Sequence, residues 1–305
     1  MADARDRDDK QNFVAAKRGS AGLAFAALIL GNVAIAFGPL LVRLADTGPV
    51  ASGFWRVALA APVLALIGWR AGFRPRQLTW PVTGLLVFAG IVFGIDIIAW
   101  HLGVMLTKMG NATLLANCAS LLLAIYGLVL ARRLPSGKQA TAILLAFGGA
   151  AMLMVQSVEL SPGHFRGDLL SLLAGLFYTL YLLAMIRARA SAESWTALAI
   201  ASAVAAAVML PAAFYAGERI IPGDWTPLII LALSSQVVGQ GLLTFALPHF
   251  SPLVIGLALL LQPALSAATG WIAFDEAMTP LDFLGAAMVM AALVLVRLAE
   301  RPGRA

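Results

Sequence analysis

The chain has 305 residues, of which 61% are hydrophobic and only 12% are charged, whereas soluble domains have about 25% charged residues. This composition excludes a soluble protein, because only lipid can cover so much apolar surface. The net charge of +6 does not indicate nucleic-acid binding, since the basic residues are scattered between apolar stretches and form no compact patch. A single cysteine, Cys118, excludes a disulfide framework and a cysteine-based metal site.

The first twenty residues alternate acids and bases, which predicts a polar N-terminal arm over 1–20. The apolar stretch that follows, 21–44, is too long for the hydrophobic region of a signal peptide and shows no cleavage-type exit. We therefore interpret it as the first retained membrane span.

A helix needs about 20 apolar residues to cross the hydrocarbon core, and this rule predicts ten transmembrane helices. Short breaks rich in Pro, Gly or charge separate them, and an even number places both termini on one side. The predicted spans are 21–44, 50–69, 80–106, 111–131, 139–156, 168–187, 195–215, 227–247, 253–273 and 280–298.

Lys and Arg residues are distributed unequally between the two sides of these spans. With the N-terminus inside, sixteen of the 21 lie on the cytoplasmic side and four outside, and Arg56 lies within a span. Because basic residues concentrate in cytoplasmic loops, we expect both termini, including a basic tail over 299–305, to be cytoplasmic. The protein would then lie in the inner (plasma) membrane.

An internal repeat divides the chain into two halves. An offset of 143 residues aligns 112–133 with 255–276 and also matches the turns that open the next span, Ser136-Gly137 and Thr279-Pro280. We predict a first repeat at 21–156, a linker at 157–167 and a second repeat at 168–298. Five helices per repeat force the two copies into opposite membrane orientations, an arrangement that suits alternating access.

The second half contains Leu261-Gln262-Pro263, the run from Phe274 to Pro280, and Leu284-Gly285. In this ordered set it resembles the EamA repeat of the drug/metabolite transporter superfamily. The first half has the same layout, including Phe54-Trp55-Arg56 in the second span. The resemblance implies ten helices, both termini inside, and likeness to the YddG-type branch of amino-acid exporters. It departs at Arg132-Arg133, where the family's first repeat usually has Gly-Glu.

Two charged residues lie inside predicted spans, where charge is costly. Arg56 and Asp96 both fall in the outer half of the membrane. They neutralise each other, or they hydrogen-bond neighbouring helices, or they face a solute. Asp96 would also be a natural proton carrier if burial brought its pKa close to neutrality. Glu276, in the loop before the last span, is a third candidate for a structural or coupling charge.

Other polar and aromatic side chains within the spans are candidates for lining a cavity. His101 either lines a cavity or lies at headgroup depth beside Trp100, and we favour the cavity. Amides are harder to leave in lipid than hydroxyls, so we expect them to face the interior. The full set of cavity candidates is Asn32, Asp96, Trp100, His101, Asn117, Tyr178, Tyr181, Gln236, Gln240 and Gln262. Glycines in the first and eighth spans, such as Gly31 and Gly239, would permit close packing or bending.

The sequence contains no enzyme motif: no HExxH, no P-loop and no GxSxG. We expect no catalytic residue, metal or cofactor. The prediction is a monomeric secondary transporter that exports a small neutral or zwitterionic metabolite, most simply an amino acid, with membrane lipid around it. The alternative is a non-transporting membrane protein, either a lipid-modifying enzyme or a sensor.

Overall fold

The structure is a computed structural model that describes residues 22–72, 78–130, 132, 134–160, 162–189, 191–250, 255, 258–259, 261–276 and 278–299. These residues form helices and connecting turns, with no β-strand among them. Six of their helices are long and apolar enough to cross a membrane. The fold is therefore that of an all-α protein that crosses the membrane several times.

The helices are numbered α1 to α10 here in chain order. The six long apolar helices are α1 Gly22–Leu44, α2 Pro49–Arg70, α3 Trp80–Leu106, α6 Pro162–Ala188, α7 Ser194–Tyr215 and α8 Thr226–His249. The others are α4, in the two pieces Met109–Ala116 and Cys118–Leu130, then α5 Gly137–Leu160, α9 Leu261–Phe274 and α10 Pro280–Ala299.

These helices coincide with the predicted spans apart from two stretches. The predicted linker, 157–167, is helical on both sides of residue 161, because α5 continues to Leu160 and α6 begins at Pro162. Proline is well tolerated in the first turn of a helix, where its missing N–H has no partner to lose. Most of the start of the predicted ninth span, 253–260, lies outside the described residues.

Three helices are irregular near their middles. A one-residue turn at Phe37 interrupts α1 just before Gly38-Pro39, and Asn117 separates the two pieces of α4. In α8, residues Ala232–Gln240 form a π-helix. Wide helical turns of this kind are rare and occur often at functional sites.

Helices from the two halves pack against their counterparts at an interval of five helices. The pairs are α2 with α7, α4 with α9, and α5 with α10, and α3 packs along α6. The interval of five relates the α3–α6 contact to a contact between α8 and α1. These two helices cross closely, since a Cβ atom added to Gly31 would lie only 2.8 Å from the carbonyl oxygen of Gly239. The close packing predicted from these glycines is confirmed.

The helices run alternately up and down, so their ends meet in two layers. At one end, the C-termini of the odd-numbered helices α1, α3, α5, α7 and α9 meet the N-termini of the even-numbered helices α2, α4, α6, α8 and α10; we call this the Arg43 end. At the opposite end, the Tyr126 end, Arg187 near the end of α6 donates a 2.6 Å hydrogen bond to the Tyr126 hydroxyl.

The loops after α4 and α9 share an unusual backbone conformation. Arg132 has φ 48° and Asp275 has φ 51°, and these are the two non-glycine residues with positive φ in the described part of the chain. A left-handed conformation is uncommon outside glycine. The two residues are 143 positions apart, which is the offset that aligns the two halves in sequence.

Candidate functional site

A cavity lies near the middle of the helices and takes side chains from both halves of the chain. Helices α1 to α4 contribute nine residues, and α6, α8 and α9 contribute one each. The lining residues are Ile35, Arg56, Phe93, Asp96, Ile97, Trp100, Thr113, Ala116, Asn117, Tyr178, Gln240 and Gln262. Helical membrane proteins commonly bind their ligands between helices or at the interface of two repeats. This cavity is therefore the candidate site for a solute.

The cavity is small. It holds about 50 Å³ of space for the centre of a water-sized sphere, and a single water needs roughly 10–15 Å³ on the same measure. It can therefore hold a few waters or one small solute in close contact. The wall combines apolar rings with a guanidinium, a carboxylate and amides, so it presents both charges and neutral polar groups.

Arg56 on α2 is held in place by a chain of hydrogen bonds that reaches α7. Its Nε donates to Gln236 Oε1 at 3.2 Å, and Gln236 Nε2 donates to Ser202 Oγ at 2.9 Å. The guanidinium also lies 5.9 Å from the centre of the Trp100 ring. Gln236 itself does not line the cavity, and it acts by fixing the direction of the arginine.

Asp96 lies on α3 and faces the same cavity. Arg56 and Asp96, both of which the structure describes, do not come within the 4 Å of an ion pair, and no described residue donates a hydrogen bond to the Asp96 carboxylate. Of the interpretations open from sequence, mutual neutralisation by direct contact is therefore not what the structure contains, whereas Arg56 does bond to a neighbouring helix through Gln236.

Aromatic rings form one wall of the cavity. Tyr178 lines it and accepts a 3.3 Å hydrogen bond from Gln240 Nε2 through its hydroxyl. Tyr181 is buried behind this wall, with its ring 4.3 Å from that of Phe93 and 5.7 Å from that of Tyr178 between centroids. Tyr181 thus supports the lining but does not belong to it.

Amides at the opposite wall connect α1 to α9. Gln262 lines the cavity and donates from Nε2 to Asn32 Oδ1 at 2.7 Å, while Asn32 Nδ2 donates to the carbonyl oxygen of Leu28. Asn32 is buried behind Gln262. Asn117, at the break in α4, lines the cavity and donates to the carbonyl oxygen of Thr113.

His101 does not lie in the cavity, although we favoured that position from sequence. Its ring is fully buried against the start of α2, where Nδ1 lies 2.9 Å from Ser52 Oγ and 3.0 Å from the carbonyl oxygen of Pro49. The reason is helical geometry: five residues after Asp96, at 100° per residue, the side chain points about 140° away from the cavity face.

Glu276 lies at the Arg43 end, away from the cavity, and joins the two halves. Its Oε1 accepts a 2.5 Å hydrogen bond from Arg43 Nη1, and its Oε2 accepts a 2.9 Å bond from the Met109 backbone N–H. Arg43 also donates to the carbonyl oxygens of Val104 and Thr107. We call the Arg43–Glu276 ion pair with these bonds the clasp.

Two further contacts close the same end. The Glu218 carboxylate, after α7, accepts from the backbone N–H groups of Val50 and Ala51 at the start of α2, a favourable position for an anion. Lys108 donates a 2.7 Å bond to Asp282 in the first turn of α10. At the adjacent turn, hydrogen bonds from Thr226 hold the pKa of the exposed Asp224 below its ordinary value.

Sequence reasoning missed several lining residues, for which a signal existed. Phe93 lies three residues before Asp96 and Thr113 four residues before Asn117, so helical spacing from those two candidates would have found both. Trp100, four residues after Asp96, was already a candidate. Within the described residues, no group of three or more His, Cys, Asp or Glu side chains is placed to hold a metal ion.

Comparison with known proteins identifies the family to which the chain is similar. Residues 22–155 match the EamA-like transporter family, and residues 165–298 match it a second time. The threonine/homoserine exporter RhtA of Escherichia coli (strain K12) is 28% identical over 248 residues, which cover 79% of this chain and 80% of that protein. An uncharacterized transporter of Archaeoglobus fulgidus is 22% identical over 244 residues, covering 77% of this chain and 83% of that one.

The fold has also been observed by crystallography. A crystal structure that is 18% identical in sequence superposes with a TM-score of 0.65 and covers 93% of this chain and 99% of that one. Both halves match one transporter family, and both named relatives are transporters. The chain therefore belongs to the EamA-like transporter family, as a multi-pass membrane transporter and not an enzyme.

Proposed function

We propose that this protein is a secondary transporter that exports a small amino acid across the inner membrane by alternating access around the central cavity. The observation that carries the proposal is the cavity itself, which lies near the middle of the helices and is lined from both halves. Alternating access needs a site of this kind, because the same contacts must be reached in turn from each side.

The arrangement of the helices supports two inverted repeats at 21–156 and 168–298. Packing of α2 on α7, α4 on α9 and α5 on α10 is the pattern expected when a two-fold axis relates the halves. The common left-handed turns at Arg132 and Asp275 agree with the same axis. With five helices in each half, the chain crosses the membrane ten times, and the two copies have opposite orientations.

Charge supports the direction of the protein in the membrane. Most Lys and Arg residues fall in connections at the Tyr126 end, in the N-terminal arm and in the C-terminal tail, so this end faces the cytoplasm by the positive-inside rule. Both termini are then cytoplasmic, and the Arg43 end, with its clasp, faces outward.

The substrate class follows from the size and lining of the cavity together with the relatives. The cavity admits a solute of only a few heavy atoms and offers charges, amides and aromatic rings. The named relative in Escherichia coli is an exporter of threonine and homoserine, which are small and zwitterionic. We propose that the transporter acts as a monomer, because the two halves of a single chain together surround the cavity.

Exchange of radiolabelled threonine in proteoliposomes tests the proposal. We expect liposomes loaded with unlabelled threonine to accumulate label faster than protein-free liposomes. Ala116→Phe, which fills the cavity, should abolish this exchange, whereas Leu144→Phe at an exposed position of α5 should not. The proposal fails if the wild-type protein exchanges none of a panel of amino acids, with or without a pH gradient.

A further inference from the structure

Arg56 and Asp96 are buried ionisable residues of opposite sign, and neither forms an ion pair with a described residue. They are 3% and 7% exposed, and both line the cavity. A charged side chain within the membrane costs several kcal/mol unless something compensates it. Two opposite charges held apart at one small cavity therefore indicate a ligand that supplies both of the missing partners.

The guanidinium of Arg56 is oriented for a carboxylate. Its Nε is occupied by Gln236, which Ser202 fixes in turn, and its two terminal nitrogens donate to no described residue. Arginine presents these N–H groups as a planar fork that matches the two oxygens of a carboxylate. The guanidinium carbon also lies 5.9 Å from the centre of the Trp100 ring, within the range of a cation–π contact.

The residue of opposite charge, Asp96, lines the same cavity. The Asp96 carboxylate is an acceptor without a described donor, and the Oε1 atom of Gln240, also on the lining, is buried without a partner among the described residues. An ammonium group carries three N–H donors and no acceptor. An ammonium group would therefore donate to both the Asp96 carboxylate and Gln240 Oε1. A hydroxyl, with one donor, would leave one of these two acceptors unpaired.

We propose that the cavity binds an α-amino acid as its zwitterion, with the carboxylate on Arg56 and the ammonium on Asp96 and Gln240. This rests on the proposed function and names the recognition groups of the same site. The two charged groups of an α-amino acid are attached to one carbon, so both fit a cavity with about 50 Å³ for water-sized sphere centres. The volume that remains admits a side chain of only a few atoms.

The proposal predicts which compounds the site rejects. An amine without a carboxylate leaves Arg56 unpaired, and a carboxylic acid without an amine leaves Asp96 unpaired. Hydrogen bonds to charged groups are strong enough that each loss should weaken binding by about tenfold or more. Neutral molecules of the same size lose both interactions.

Competition against labelled threonine exchange in proteoliposomes tests these roles. The competitors are threonine, threonine methyl ester, which lacks the carboxylate charge, and 3-hydroxybutyrate, which lacks the amine. With the wild-type protein, we expect threonine to compete at least about tenfold better than either analogue. In R56Q the advantage over the ester should disappear and the advantage over 3-hydroxybutyrate should remain, and D96N should show the reverse.

The matched control is T179A, because Thr179 is buried in α6, bonds to its own helix and does not line the cavity. It should keep the wild-type order of competitors. Size-exclusion elution and thermal unfolding in detergent identify variants that have not folded. If R56Q or D96N fails this check, R56K or D96E is tested in its place. R56K should retain part of the preference for threonine over the ester.

The outcomes separate this inference from the proposed function. If the wild-type protein exchanges no amino acid, the proposed function is wrong. If exchange occurs but the ester and 3-hydroxybutyrate compete as well as threonine, only the zwitterion assignment is wrong. The assignment is also wrong if R56Q and D96N weaken all three competitors equally, which is the result expected when the two residues serve only to hold the helices together.

Discussion

Arg43 and Glu276, 233 residues apart in sequence, form an ion pair of 2.5 Å that joins the end of α1 to the loop between α9 and α10. Both side chains are largely buried, and the arginine lies over the Phe274 ring. Removing one partner of a pair shielded from water in this way costs more than breaking an exposed pair, because the other charge is left buried and unpaired. The clasp therefore holds the two halves together at one end of the cavity.

We expect E276Q to open the Arg43 end more often. Loss of the charge removes charge-assisted hydrogen bonds of about 1.5–3 kcal/mol, so the open population should rise by about tenfold or more. A cysteine at Thr113, in a C118S background, reports this, because Thr113 lies on the cavity and only four residues from the start of α4. Its labelling by an impermeant maleimide should accelerate accordingly.

The control for that experiment is D46N. Asp46 pairs with Arg219 at 3.4 Å at the same end, but both side chains are substantially exposed, and such surface pairs contribute about 1 kcal/mol or less. Labelling at position 113 should stay near the wild-type rate. An equal acceleration in both variants would show that the clasp has no special role in closure.

The crossing of α1 and α8 should depend on Gly31. In G31A the added methyl group meets the Gly239 carbonyl oxygen at 2.8 Å and cannot move aside, because the obstacle is backbone. Overpacking of this kind costs about 1–3 kcal/mol, which should lower the thermal unfolding temperature in detergent. G84A on α3 is the control, since nothing lies within 4 Å of its added atom; equal loss in both variants would contradict the proposed contact.

Membrane orientation is testable with single cysteines in a C118S background. Ile221 and Leu134 are both well exposed and lie at opposite ends of the bundle. In the proposed orientation, an impermeant reagent added to intact cells should label I221C at once and L134C only after the cells are opened. The reverse order would invert the assignment of the two faces.

Asp96 is the one carboxylate among the described residues that line the cavity. If export uses a proton gradient, this group is the carrier that the structure offers. We expect flux in D96N to be independent of an imposed pH gradient, measured in the same liposomes as wild type. Flux that still follows the gradient in D96N would assign proton transfer to another residue.

Much of the fold was predictable because each membrane helix has a local sequence signal. Every span needs its own run of apolar residues, so the spans could be located without knowing what they contact. The π-helix at 232–240 could not, since a polar run such as Ser234-Ser235-Gln236 is equally compatible with an ordinary helix.

The cavity was predictable only in part, for a related reason. Positions on one helix that share a face can be read from spacing, and this finds Trp100 from Asp96. The partner of Arg56 cannot be found in this way, because Gln236 is 180 residues distant and no local pattern connects them. The same holds for the clasp: Arg43 alone looks like an ordinary basic residue at the end of a helix.

The loops that contain Arg132 and Asp275 have the same left-handed turn, but the residues that follow are Arg133 and Glu276, which differ in sign. The two ends of the transporter are therefore unequal in free energy of opening, with the acidic residue bound to Arg43 at one end and a basic residue at the matching position of the other. An uncoupled carrier cannot alter the equilibrium distribution of its solute, yet in the proposed orientation this inequality favours a resting state that is open to the cytoplasm. Half-saturation should consequently differ between the two faces, while the ratio of maximal rate to half-saturation concentration stays equal in both directions.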